Sequence, residues 1–183
     1  MKNVFLKTIK QGVLALALGI CLLFGGEITI YAAELEEANV RESITSTEAI
    51  SGTWGDLTWE YTNATLTIRG TGEMKDRLVG EEYPWEAYAA IITKVVVEDG
   101  ITRTSYCAFM EMENLTTVSL GNTVQIIGEG SFDECESLKE IALPDSVTCI
   151  EVAAFQGSGL SEIVFSDNLT TIGKQAFFLT VLR

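Results

Sequence analysis

The sequence predicts a β-rich solenoid of parallel strands, joined by short 3-10 or helical return legs and closed at its N-terminal end by a small β-hairpin cap. Three observations predict it. Phe109, Phe132, Phe155 and Phe177 are spaced 23, 23 and 22 residues apart. Five apolar columns keep the same register, and within each unit the apolar residues first alternate with polar ones, the two-residue period of a half-buried strand.

The chain opens on Lys2, Lys7 and Lys10, followed by an apolar run from Val13 to Phe24. A positive segment, an apolar stretch too short for a comfortable membrane span and the small residues Ala32-Ala33 together read as a cleaved signal peptide over residues 1–33. Residues 34–50 are acidic, rich in Ser, Thr and Glu and without apolar period, so a flexible linker is expected. Over 51–91, Leu57 to Tyr61 and Thr65 to Ile68 alternate around a turn at Asn63, which predicts a hairpin cap. Trp54, Trp59 and Trp85 either pack into that cap or present an aromatic platform to a sugar.

Residues 92–183 carry about four repeats of 22–23 residues. Ile92, Leu115, Leu138 and Leu160 form one column, and Val95, Val118, Ile141 and Ile163 the next. Val97, Leu120, Leu143 and Phe165 follow, then Ile101, Val124, Val147 and Leu169, then Thr104, Ile127, Ile150 and Ile172. Gly121-Asn122 and Pro144-Asp145 turn the chain after the strand. The pairs Ala108-Phe109, Ser131-Phe132, Ala154-Phe155 and Ala176-Phe177 mark the return leg, a small side chain allowing close approach beside a ring that fills the interior. The buried side chains of one such coil do not offset the entropy lost in ordering its residues, so neighbours must stack with like columns in line.

Units such as the one running from Leu138 to Phe155 resemble leucine-rich repeats of the BspA type, also called the Treponema pallidum class. The segments 51–59, 64–74 and Pro84-Trp85 look like the region that precedes such repeats. Two positions depart from the pattern: Trp54 stands where a Cys is common, and Thr104-Ser105 replaces the usual Ile-Gly. The resemblance implies a leucine-rich-repeat solenoid, secreted or on the bacterial cell surface, associated with adhesion or protein binding and not with catalysis.

Composition narrows the chemistry independently. The chain has no histidine, which removes the usual general base and every Ser-His or Cys-His nucleophile, so no catalytic residue is expected. Without residues 1–33, nine basic side chains face 25 acidic ones, a net charge of −16 that disfavours nucleic acid as a partner. No cofactor motif and no calcium-loop spacing occurs, so neither cofactor nor metal is expected. Cys107, Cys135 and Cys149 fall in three different columns, where small buried apolar side chains are the expectation and a ladder disulfide is not. Glu81-Glu82, Glu98-Asp99 and the run from Glu111 to Glu113 read as solvated loop charge.

The binding candidates are therefore the outward positions of the strands, on the concave strand face: Lys94, Val96, Thr117, Ser119, Glu140, Ala142, Glu162 and Val164. Mixed and small, they suggest a shallow surface for a protein or glycan ligand on a host or neighbouring cell. The rival expectations are a truncated structural fragment with no activity of its own and a carboxylate-dependent hydrolase. No stable membrane span is expected after processing. The chain stops as a fifth coil would begin, with no C-terminal cap, so self-association through that end is a further expectation.

Overall fold

The computed structural model of the chain describes residues 49–182. The expected signal peptide, and the expected linker up to residue 48, lie outside the described residues.

Three antiparallel strands open the fold: β1 (Ile50–Trp54), β2 (Leu57–Thr62) and β3 (Thr65–Arg69). β2 and β3 meet in the register Trp59↔Ile68, across a two-residue turn in which Asn63 and Ala64 both have left-handed φ, 49° and 57°. Such a turn matches the natural twist of a hairpin. β3 then pairs in parallel with β5 (Lys94–Val97), placing Leu66 beside Val95 and Ile68 beside Val97. β4 (Gly72–Glu73) pairs in parallel with β6 (Ile101–Arg103). Residues 65–91 therefore do more than cap: they form a coil of the solenoid in their own right.

The later coils repeat this pair of strands. β7 (Thr117–Leu120), β9 (Glu140–Ala142) and β11 (Glu162–Val164) carry the first strand, and β8 (Ile126–Ile127), β10 (Cys149–Ile150) and β12 (Thr171–Ile172) the second. The second ladder runs unbroken as β4-β6-β8-β10-β12, while the first is divided into β3-β5-β7 and β9-β11.

A 3-10 helix, Glu86–Ile91, makes the first return leg. The later legs are successive turns, and their curvature comes from two left-handed residues per coil. Cys107, Gly130, Ala153 and Gln175 fill one such column, and Glu111, Glu134, Gly157 and Leu179 the other, all with φ between 50° and 63°. Only one glycine stands in each column, so the non-glycine members carry backbone strain that the surrounding coil must outweigh.

The interior is a column of rings. Phe109, Phe132 and Phe155 are fully buried and stack at centroid separations of 5.2 and 5.4 Å, with Phe177 following at 5.5 Å. Trp85, one coil earlier, heads the column at 6.3 Å from Phe109. Trp85 and Trp59 are buried, and Trp54 packs against Tyr83 at 5.0 Å, so these rings close the end of the solenoid and offer no platform for a sugar. Thr104 and Ser105 are also fully buried, and their polarity is used. Thr104 Oγ1 lies 2.7 Å from Ser131 Oγ and accepts the Gly128 N–H at 2.8 Å. Ser105 Oγ donates to the Lys75 carbonyl at 3.0 Å and shares a short hydrogen bond with the Tyr83 hydroxyl. The replacement of Ile-Gly thus fastens residues 75–83 to the first repeat.

Arg103, at the end of β6, bonds Asp76 in the coil before at 3.1 Å and Glu151, two coils on beside β10, at 2.9 Å. Partial burial alone would raise the pKa of Asp76, but the Tyr106 N–H and the Arg103 guanidinium hold its carboxyl below the ordinary value. At the far end Phe165, Ile172, Phe178, Leu179 and Val181 are exposed.

Phe132 sits between two rings with no room for water. Phe132→Ala should destabilise the fold by about 3–5 kcal/mol, read as the shift in urea midpoint, and Phe132→Leu by distinctly less.

Candidate functional site

The outward positions of the first ladder line up as the strand register requires. Lys94 lies beside Thr117 and Val96 beside Ser119, while Glu140 lies beside Glu162 and Ala142 beside Val164. All are exposed except Val96, which is half-buried. The two groups do not join into one sheet, because the ladder is interrupted between β7 and β9.

The junction differs locally from the others of this ladder. At each intact junction of this ladder, three donors converge on one carbonyl of the preceding coil. Thr93 N–H and Lys94 N–H reach the Ala64 carbonyl at 2.9 and 3.2 Å, joined by Thr93 Oγ1. Thr116 N–H, Thr117 N–H and Thr116 Oγ1 do the same on Thr93, and Ser161 N–H, Glu162 N–H and Ser161 Oγ on Lys139. The equivalent donor position facing Thr116 is Lys139, which has no hydroxyl. Its ammonium turns back to its own loop, 2.7 Å from the Glu136 carbonyl. Among the described residues no backbone hydrogen bond links β7 to β9.

A groove of about 350 Å³ occupies this break, bordered by Thr117, Val118, Glu140, Ala142, Glu162 and Val164. Five of the eight expected binding positions thus surround one depression, and Lys94, Val96 and Ser119 lie on the paired strands beside it. Glu140 and Glu162 are neighbours on parallel strands, and among the described residues neither enters a salt bridge. Val164 is 65% exposed and supplies an apolar wall.

A second cavity, about 320 Å³, lies on the return-leg side between the 3-10 helix and the next return leg, lined by Arg77, Tyr83, Trp85, Glu86 and Met110 among others, with the Arg77 guanidinium over the Tyr83 ring at 5.5 Å. The repeat columns give no sign of it, because its residues precede the regular units or lie in turns. The cysteines carry little chemistry. Burial pushes the Cys135 thiol up to about 12 and also raises those of Cys107 and Cys149, so all three resist forming thiolates. Cys135 is fully buried and Cys107 and Cys149 are half-buried, so the small-apolar expectation describes the first more fully than the others.

The BspA type leucine rich repeat region, in six copies, matches residues 87–183, more than half of the chain. Among solved structures, a leucine-rich repeat protein from Eubacterium ventriosum is 25% identical, with a TM-score of 0.55, over 68% of this chain and 40% of its own. One from Bacteroides ovatus is 22% identical, with a TM-score of 0.47, over 67% of this chain and 37% of its own. A leucine rich cell surface protein from Faecalibacterium prausnitzii is 21% identical, with a TM-score of 0.35, over 76% of this chain and 55% of its own. The chain spans about two fifths of the length of the first two. No curated protein matches it.

If the missing hydroxyl opens the ladder, Lys139→Thr should close it. We expect that variant to be more stable by ~1 kcal/mol, the net worth of a regained hydrogen bond. Amide exchange should slow at Lys139 and Glu140 positions, and unchanged protection there would contradict this account of the break.

Proposed function

The chain belongs to the BspA-type leucine-rich repeat family, and on that premise we propose that it is a secreted or cell-surface binding module whose strand face contacts a protein or glycan ligand. The observation that carries this reading is the groove at the interrupted ladder, with exposed Thr117, Glu140, Ala142, Glu162 and Val164 around it. Stacked coils hold such positions on a rigid frame, which suits recognition at little entropic cost. Export is supported by the lysines and apolar run of residues 1–33. That segment would be removed, leaving the acidic chain in an oxidising compartment with Cys107, Cys135 and Cys149 as free thiols, Cys135 fully buried.

A binding role is favoured over catalysis by the same surface. A carboxylate-dependent hydrolase needs one carboxyl desolvated enough to hold a proton at neutral pH. Glu140 and Glu162 are both exposed, and no histidine is available to share the work.

Self-association is a second reading, favoured by the apolar side chains exposed on the last coil, Phe165, Ile172, Phe178 and Leu179 among them. Multi-angle light scattering at rising concentration checks it. Growth of a dimer, reduced by Phe178→Glu with Leu179→Glu, is the expected result, and a monomer throughout removes this reading.

Arrays of glycans and of extracellular proteins are the means of finding the ligand. The double variant Ser119→Arg, Glu140→Arg should keep its circular dichroism and melting temperature and lose binding by at least tenfold. Binding of every recovered ligand at undiminished strength would eliminate the strand face.

A further inference from the structure

We propose that the groove between β7 and β9 receives an arginine-bearing segment of a partner polypeptide, the guanidinium seated between Glu140 and Glu162. The inference rests on the strand-face reading and specifies the class of partner.

Two carboxylates lie on the rim of the groove. Glu140 and Glu162 stand in direct register on parallel strands, so their backbones are about one strand spacing, ~4.8 Å, apart and their side chains leave the same face side by side. Like charges so placed repel, and a cation between them turns that repulsion into attraction. The lysine nearest in sequence, Lys139, does not provide it, because its ammonium is committed to the Glu136 carbonyl. Lys94 is on β5, on the far side of β7. The break adds one acceptor: the Thr116 carbonyl, at the position where Ala64, Thr93 and Lys139 each receive convergent donors, receives none from the next coil, and the Lys139 and Glu140 N–H groups that would reach it are left facing the same gap.

The rest of the groove suits the stem of such a side chain. Ala142 and Val164 lie side by side, both exposed, next to the carboxylate pair. Arginine combines a three-carbon stem that covers apolar surface with a planar fork that serves two acceptors at once. Its fork fits a carboxylate pair and a free carbonyl better than the point charge of lysine does. A neutral sugar brings hydroxyls but no charge. An anionic ligand meets the same carboxylates on a chain of net charge −14. Charge complementarity therefore selects a basic polypeptide.

The test uses the full chain and two blocked hexapeptides that differ at one central residue, arginine or its neutral isostere citrulline. Titration is followed by calorimetry and by amide shifts of 15N-labelled protein. We expect the arginine peptide to bind with shifts centred on Thr117, Glu140 and Glu162. The citrulline peptide should bind at least tenfold more weakly, and the arginine peptide should lose as much against Glu140→Gln, Glu162→Gln, a variant with two exposed substitutions that leave the core untouched. Equal binding of the two peptides, shifts centred elsewhere, or full retention by the glutamine variant would overturn the assignment. A glycan or an arginine-free protein that binds the native chain and fails on Ser119→Arg, Glu140→Arg also overturns it, while leaving the strand face as the binding surface. If instead the arginine peptide binds through Glu140 and Glu162, both readings stand together.

Discussion

One ring per coil, stacked on the ring of the coil before, sets the rise of this molecule, and every other feature must conform to that rise. Trp85, Phe109, Phe132, Phe155 and Phe177 follow one another at 5.2 to 6.3 Å. Parallel strands repeat at ~4.8 Å, so the ring column and the ladders tolerate each other only if each turn of chain is nearly the same length. The cost appears where backbones approach. A Cβ added at Gly128 would lie 2.1 Å from the Thr104 carbonyl oxygen, which leaves room there for hydrogen alone. Small residues before each phenylalanine, such as Ala154 and Ala176, are buried for the same reason.

Polar chemistry enters this frame in two ways. Where it supports the stack, each buried group finds a partner in an adjacent coil, as Thr104 and Ser131 do, and the network adds specificity without loosening the interior. Convergence of two N–H groups and a hydroxyl on a single carbonyl does the same at the edges of the coils. Thr148 and Thr170 repeat it on the second ladder, each with its hydroxyl on the carbonyl of the coil before. At the β7–β9 junction, where Lys139 carries no hydroxyl, the strands are unpaired, and the surface has a feature that its neighbours do not have. Recognition on a repeat protein must come from such departures, because an ideal repeat presents the same face everywhere.

Much of this was legible in the amino-acid sequence. The columns through Val95, Val97, Ile101 and Phe109 are periodic, and periodicity survives without knowledge of contacts. The hairpin was legible because Asn63 separates two alternating runs. Less visible was the membership of residues 65–91 in the solenoid. Leu66 and Val95 are strand partners separated by more than one regular repeat, so a search for a fixed period passes over them. The left-handed positions were also hidden: Gly130 and Gly157 each fall in a column whose other members are Cys107, Ala153 and Gln175, or Glu111, Glu134 and Leu179. A glycine seen once in a column reads as a local turn. The groove coincides with one exception, Lys139 among Thr93, Thr116 and Ser161, and strand pairing at that junction is a matter of hydrogen-bond geometry that no pattern of apolarity encodes.

A gap in a ladder is usually a weakness, yet here it is confined. The coils on either side of it remain joined through β8 and β10, with Ile127 beside Ile150, and through the parallel rings of Phe132 and Phe155, 5.4 Å apart. β9 and β11 stay paired beyond it. The missing junction therefore cannot hinge the solenoid, because the buried side of both coils is held in register. What is left is a fixed depression in an otherwise continuous face, open before any ligand arrives. A side chain entering it would order little that is not already ordered, so no work of forming the depression would be set against the contacts made there.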